Sequence, residues 1–269
     1  MGKIRLLYDE NTKIRFKIRD IIQTSLSALE AFLDSISKNY PDLISLVIKN
    51  LTSKFQKIKN YNLSLNLELT RFQDYPRLMD ENINMILSLV KFTKYQEKSI
   101  DEEIDIEVSD LIHTFNHFEY CFVESLMKIL PFGEVINYYQ NFLNDLTKSK
   151  RNPDNYIENM QDLADHLRNF SERWHDLEAI LEIINEEKMV CKVTKCRWAE
   201  DLKDIDPEIG YTMMCHQDFE RAKNFNPNFV LTRNHTLMKG DEYCDFCYHD
   251  IRNNKDIIHP SDDFWDEFN

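Results

Sequence analysis

Four consecutive residues, Cys215, His216, Gln217 and Asp218, place a thiol, an imidazole and a carboxylate side by side. Behind them the run from Arg233 to Tyr248 adds His235, Thr236, Asp241, Cys244, Asp245 and Cys247. A thiolate is a nucleophile toward electron-poor carbon, and a carboxylate beside it can hold a substrate proton or orient water. On a helix, Cys215 and Asp218 are three residues apart and share a face with Phe219 and Ala222. A free thiol titrates near a pKa of about 8.5, so Cys215 needs a local activator at neutral pH. His216 is adjacent, but neighbouring helical side chains point about 100° apart; His235 from the following segment is an equally good candidate. Arg233 suits two-pronged recognition of a substrate carboxylate. Each residue also has a plainer reading: Cys215 as a small buried apolar group, Asp218 as a solvated charge, Arg233 as half of a surface ion pair.

Two other groupings invite a metal. Cys244 and Cys247 form a Cys-x-x-Cys pair, and Cys191 with Cys196 would complete a structural zinc site. In a regular strand, however, Cys244 and Cys247 point to opposite faces, the glycine that usually makes a knuckle turn is missing, and Cys191 and Cys196 are widely spaced. His113, His117 and Cys121 recur at four-residue steps, but they alternate with Leu111, Phe115, Phe118 and Phe122, which reads as a helix with a polar stripe. No cofactor and no metal ligand set is therefore expected, zinc being the competing reading.

The elements that must position these residues follow from periodicity. Apolar residues at three- and four-residue steps predict helices over 11–38, 41–59, 80–95, 101–130, 132–146 and 155–187. Leu63, Leu65, Leu67 and Leu69 alternate with polar residues and predict a strand. After Lys188 the composition shifts: a strand over 189–195, a helix over 207–224 opened by Asp206 and Pro207, and a hairpin with arms 229–238 and 243–250 around a turn at Gly240. In that hairpin Arg233, His235 and Leu237 would share one face, while Tyr243, Asp245, Cys247 and His249 would lie opposite Cys244, Phe246 and Tyr248. The acidic tail offers Phe264, Trp265 and Phe268 as docking anchors. The fold class is α+β, with a helical region 1–187, a site-bearing α+β region 188–252 and an acidic tail 253–269.

Composition narrows the function classes. The chain has 269 residues, 42% of them hydrophobic, with only 4 Gly and 7 Pro, so it can bury a core and favours long helices. A net charge of −14 argues against nucleic-acid or anionic-membrane binding, where phosphate contacts demand an excess of Lys and Arg. No window approaches the ~18 uncharged apolar residues of a membrane span. Early charges at Lys3 and Arg5 argue against a secretory signal, so the 6 cysteines are expected to be free thiols in a cytoplasmic protein.

Taken in order, Cys196-Arg-Trp, Gly210, Cys215-x-x-Asp218, Asn226-Pro227, Thr236-Leu-x-x-Gly240 and Cys244-x-Phe246 resemble the C-terminal signature of the L-2-amino-thiazoline-4-carboxylic acid hydrolase family. The resemblance covers roughly residues 190–248; Cys191 and Cys247 stand outside it. It implies hydrolytic opening of a cyclic amidine-like C–N bond in a small carboxylated molecule. It also marks Cys196, Cys215, Asp218, Thr236 and Cys244 as site residues. Together with the residue chemistry, the expected assignment is Cys215, Asp218 and His235 as catalytic, and Arg233, Thr236, Cys196 and Cys244 as substrate-binding. The alternative is a non-catalytic sensor or interaction protein that gathers Cys196, Cys215 and Cys244 to hold a metal or ligand. An organometal lyase, using two thiols and a carboxylate, is a remote variant.

Overall fold

The computed structural model describes residues 2–55, 75–95, 99–152, 156–253 and 257–268. In chain order these form β1 (Ile4–Leu6), β2 (Lys13–Lys17), α1 (Ile18–Asn39), α2 (Ile44–Phe55), α3 (Pro76–Leu89), β3 (Glu103–Glu107), α4 (Val108–Met127), α5 (Phe132–Ser149) and α6 (Met160–Trp174). Then follow β4 (Leu177–Asn185), β5 (Lys188–Cys196), α7 (Arg197–Asp201), α8 (Pro207–Gly210), α9 (Asp218–Phe225), β6 (Phe229–Thr232), β7 (Cys244–Asp250) and α10 (Asp262–Glu267). The class is α+β. Two compact units partition the chain, one made of 1–12 with 139–269, the other of 13–138. Among the described residues no helix is long and apolar enough to cross a membrane.

Among the described residues, the unit of 13–138 is helical with a two-stranded antiparallel ribbon, β2 with β3. α1 buries Ile18, Ile21, Ile22, Leu26, Leu29, Phe32, Leu33 and Ile36, the stripe that its periodicity predicts. Its first predicted turns are instead β2, and the start of the predicted helix 101–130 is β3, where Glu-Ile-Asp-Ile-Glu buries Ile104 and Ile106. Strict two-residue alternation over five residues is a strand pattern, and pairing in the ribbon satisfies it. The strand expected at Leu63–Leu69 lies outside the described residues.

The other unit carries a five-stranded antiparallel sheet in the order β1-β4-β5-β7-β6. A helix was expected to run through 155–187; α6 ends at Trp174 and β4 follows. Leu177, Ile180, Leu181 and Ile184 fit a helical stripe, but Ala179 and Leu181 also fit a strand. The turn at Glu186–Glu187, where the Asn185 carboxamide oxygen accepts from Glu187 N–H at 2.9 Å, folds the segment back onto β5. One face of the sheet packs Leu181, Met189, Cys191, Val193, Phe229, Leu231, Cys244 and Tyr248 with Leu163 and Ala164 of α6 and Ala222 of α9. The opposite face packs Val190 and Cys247 with Trp265 and Phe268, the anchors that the acidic tail offers. The split of β7 into Cys244–Phe246–Tyr248 and Asp245–Cys247–His249 faces follows the expected alternation.

Candidate active site

The helix expected over 207–224 is built in three parts. Asp206 caps its start by accepting from Glu208 N–H at 2.9 Å, with Pro207 at the first position. From Tyr211 to Cys215 the turn widens to a π turn, in which His216 N–H donates to Tyr211 O at 2.9 Å. α9 then restarts at Asp218. The helix start can approach the following loop because Gly210 has no side chain: a Cβ there would lie 2.7 Å from Met238 Sδ.

The hairpin arms are shorter than expected. β6 stops at Thr232, and residues 233–243 form a loop, so the strand faces expected for Arg233, His235 and Thr236 do not exist. Thr236 instead caps a 3₁₀ turn, Leu237–Lys239, which closes at Gly240 with φ of +93°, the left-handed region that glycine enters without steric penalty. Asp241 holds this turn by accepting from Thr236 N–H at 2.6 Å.

Three of the expected residues are joined through this loop. The Thr236 hydroxyl donates to Cys215 Sγ at 3.9 Å and accepts from the Cys244 thiol at 3.6 Å. Leu237 N–H donates to Cys244 Sγ at 3.2 Å. These bonds form one directed chain, from Leu237 N–H through Cys244 and Thr236 to Cys215, which ends on sulfur as an acceptor. Cys196 ends β5 and precedes α7, and its thiol interacts electrostatically with both Cys215 and Cys244.

Arg233 ties the helix to the loop. Its guanidinium donates to the Asp218 carboxylate at 2.8 Å and to the Cys215 carbonyl at 2.9 Å. Its side chain is 2% exposed, and its charge is sandwiched near the rings of Phe246, Phe219 and Tyr211, at 4.9, 5.3 and 5.4 Å. A cation among aromatic faces keeps part of its stabilisation when water is excluded. Asp218 also accepts from Arg221 at 3.4 Å. Arg233 is thus a buried partner of Asp218 and of the Cys215 carbonyl, and its ion pair is not the surface pair of the plainer reading.

Burial pushes the Cys215 thiol up to about 12; Asp218 adds to the shift, and Arg233 opposes it. Burial likewise raises Cys196 well above the ordinary range, and raises Cys244. His216 makes its ring hydrogen bond away from the thiol: its Nε2 accepts from the Asn144 carboxamide N–H at 3.2 Å, and burial lowers its pKa. His235 makes its ring hydrogen bond to Asp245, at 2.9 Å, and none to Cys215. Among the described residues no group of three or more His, Cys, Asp or Glu side chains is arranged to hold a metal ion.

Residues 127–248 match the model of a known family, described as L-2-amino-thiazoline-4-carboxylic acid hydrolase. The C-terminal region carries this family's pattern. The match begins at the end of α4 and stops inside β7, so it contains the whole thiol cluster and Arg233 with Asp218. No curated protein and no solved structure matches the chain. Sequence reasoning missed Asp245, buried behind the loop; its alternation with Cys244 was legible, but its partners His235 and His259 are 10 and 14 residues away.

Proposed function

We propose that this protein is a hydrolase related to the L-2-amino-thiazoline-4-carboxylic acid hydrolases, opening a non-peptide C–N bond in a small, cyclic amidine-like, carboxylated molecule. The carrying observation is the hydrogen-bond chain that ends on Cys215 Sγ beside the buried Arg233–Asp218 pair. With its pKa near 12, the Cys215 thiol is protonated in all but roughly one molecule in 10⁵ at pH 7. Attack therefore has to be concerted with proton loss. An amidine nitrogen is a suitable acceptor: the S–C bond forms as the thiol proton moves to the ring nitrogen, and that nitrogen then leaves as an amine when the C–N bond breaks. Water hydrolyses the remaining thioimidate and regenerates the thiol.

The residues around the thiol divide the remaining work in this reading. Asp218 accepts and returns protons on the water step. Thr236 and Cys244 steady the developing charge on sulfur, since a hydrogen bond to the ionised form favours it. Arg233 supplies the positive field that an anionic carboxylate prefers, and Cys196 lines the thiol side. His235, partly exposed and adjacent to Thr236, exchanges protons with solvent.

The test is direct. Purified protein is incubated with 2-amino-thiazoline-4-carboxylate, and ring loss is followed by mass spectrometry. Turnover by wild type, its loss in Cys215→Ser and a drop of at least a hundredfold in folded Asp218→Asn are expected. A Cys215→Ser protein as active as wild type sinks the nucleophile assignment, and a silent wild type sinks the substrate class.

A further inference from the structure

We propose that Asp245 is a positioning residue for the thiol site, acting through the loop 233–237 from the opposite face of the sheet. The inference rests on the thiol site of the preceding section but not on the bond that site breaks.

Asp245 lies on β7 next to Cys244 and its side chain is fully buried. Burial alone would favour the neutral acid, and four donors oppose it. One oxygen accepts from the backbone N–H groups of Asn234 and His235, at 2.9 and 2.7 Å. The other meets His235 Nδ1 and His259 Nε2, both at 2.9 Å. Hydrogen bonds of this kind outweigh the burial, and the Asp245 carboxyl is held below its ordinary range.

Those two backbone bonds seize the loop in its middle. Arg233, which grips Asp218 and the Cys215 carbonyl, is one residue before Asn234. Thr236, which touches both Cys215 and Cys244, is one residue after His235. The loop thus has thiol-site contacts at both ends and a single buried carboxylate at its centre. The C-terminal segment braces that carboxylate: His259 also meets Thr232 Oγ1 at 2.8 Å through its other ring nitrogen and stacks on the Trp265 ring with centroids 5.7 Å apart, while Lys192 Nζ donates to the Trp265 carbonyl.

Cysteine alkylation reads this out without any substrate. At pH 8 a thiol with a pKa near 12 is ionised in about one molecule in 10⁴, against roughly a quarter for an ordinary thiol. Labelling of Cys215 therefore runs through loop-open molecules once they exceed about one in two thousand. Asp245→Ala, which removes both backbone bonds, is expected to raise the labelling rate of Cys215 at least fivefold. Asp245→Asn keeps an acceptor oxygen and is expected to stay below that. Phe268→Leu, which trims the same face without touching Asp245, is expected to lower the melting temperature and also stay below fivefold. The proposal is overturned if Asp245→Ala stays below fivefold, or if either of the other two variants matches it.

Should Asp245→Ala fail to fold, wild type alone decides the matter. The opening constant from hydrogen exchange at the Asn234 and His235 amides should agree within fivefold with that from Cys215 labelling; a wider gap overturns the proposal. A chain that turns over no thiazoline but passes these tests loses only the hydrolase reading.

Discussion

The two faces of β7 handle polar groups in opposite ways. On one, Cys244 meets Thr236 and Leu237 N–H through contacts of 3.6 and 3.2 Å to sulfur, which are soft and few. On the other, one residue along, Asp245 has both oxygens accepting twice at 2.7–2.9 Å. A thiol leaves its neighbours room to adapt, because sulfur is a weak donor and acceptor; a buried carboxylate does not, because any unmet oxygen costs heavily. One strand therefore carries a compliant surface and a rigid one, and the loop 233–237 is held between them.

The largest expected break in that contrast comes from Arg233. Arg233→Met leaves Asp218 without its 2.8 Å partner in a mostly buried site, and losing one member of a buried pair typically destabilises by about 3–5 kcal/mol. Urea unfolding measures this; a loss under ~1 kcal/mol would place the pair in the class of surface bridges and remove the reason to treat this face as built around it. Gly240→Val comes next. Valine at φ +93° is strained, at a cost on the order of 1–3 kcal/mol, and the effect should appear in melting temperature. An unchanged value would mean the turn relaxes to another conformation.

A smaller effect is expected from Thr236→Val, which deletes a hydroxyl joined to two thiols. It should cost roughly 1 kcal/mol and change Cys215 labelling more than it changes stability. Equal labelling in wild type and variant would cut the link between Thr236 and the nucleophile.

The smallest effect is in pH. Asp245 has a depressed pKa, so its contribution is present above about 3.9 and lost as pH falls through its lower, folded value. His235 has a pKa raised by its hydrogen bond to Asp245, so its contribution is present below about 6.5 and fades as pH rises through its higher, folded value. Melting temperature should thus be highest between these limits and fall on both sides, and Asp245→Asn should flatten both flanks. A variant with the same pH profile as wild type would mean that neither group senses the other.

The sequence made some of this readable and hid the rest for definite reasons. The α1 stripe, the strand after Lys188, the Asp206–Pro207 start and the need for glycine at 240 all depend on local rules, and local rules survive folding. Strands inside predicted helices were harder: Glu103–Glu107 alternates as a strand but runs straight into helical spacing at Val108, Leu177–Asn185 also fits a helical stripe, and pairing with β2 and β5 decides them. In the site, Cys215, Asp218, Thr236 and Cys244 were legible as types and spacing. The hold of Arg233 on Asp218 was not predictable as a buried pair, because burial comes from Tyr211, Phe219 and Phe246, on three different elements. His235 was expected as a thiol activator from its place on the hairpin; the ring bond it makes, to Asp245 at 2.9 Å, depends on a carboxylate the spacing did not point to.

The π turn at Tyr211–Cys215 makes chain length itself part of the site. A π turn takes one residue more than the α turn that would cover nearly the same rise, so residues downstream are rotated by about 100° relative to an uninterrupted helix. Deleting Thr212, Met213 or Met214 would let the segment relax to an α-helix while leaving every named side chain in the sequence. Either Gly210 would then lose its close approach to Met238, or Cys215 and Asp218 together would rotate away from Thr236 and Arg233, since both registers cannot be kept. For aligning or grafting this region, the count of residues between Gly210 and Cys215 is as binding a requirement as their identity.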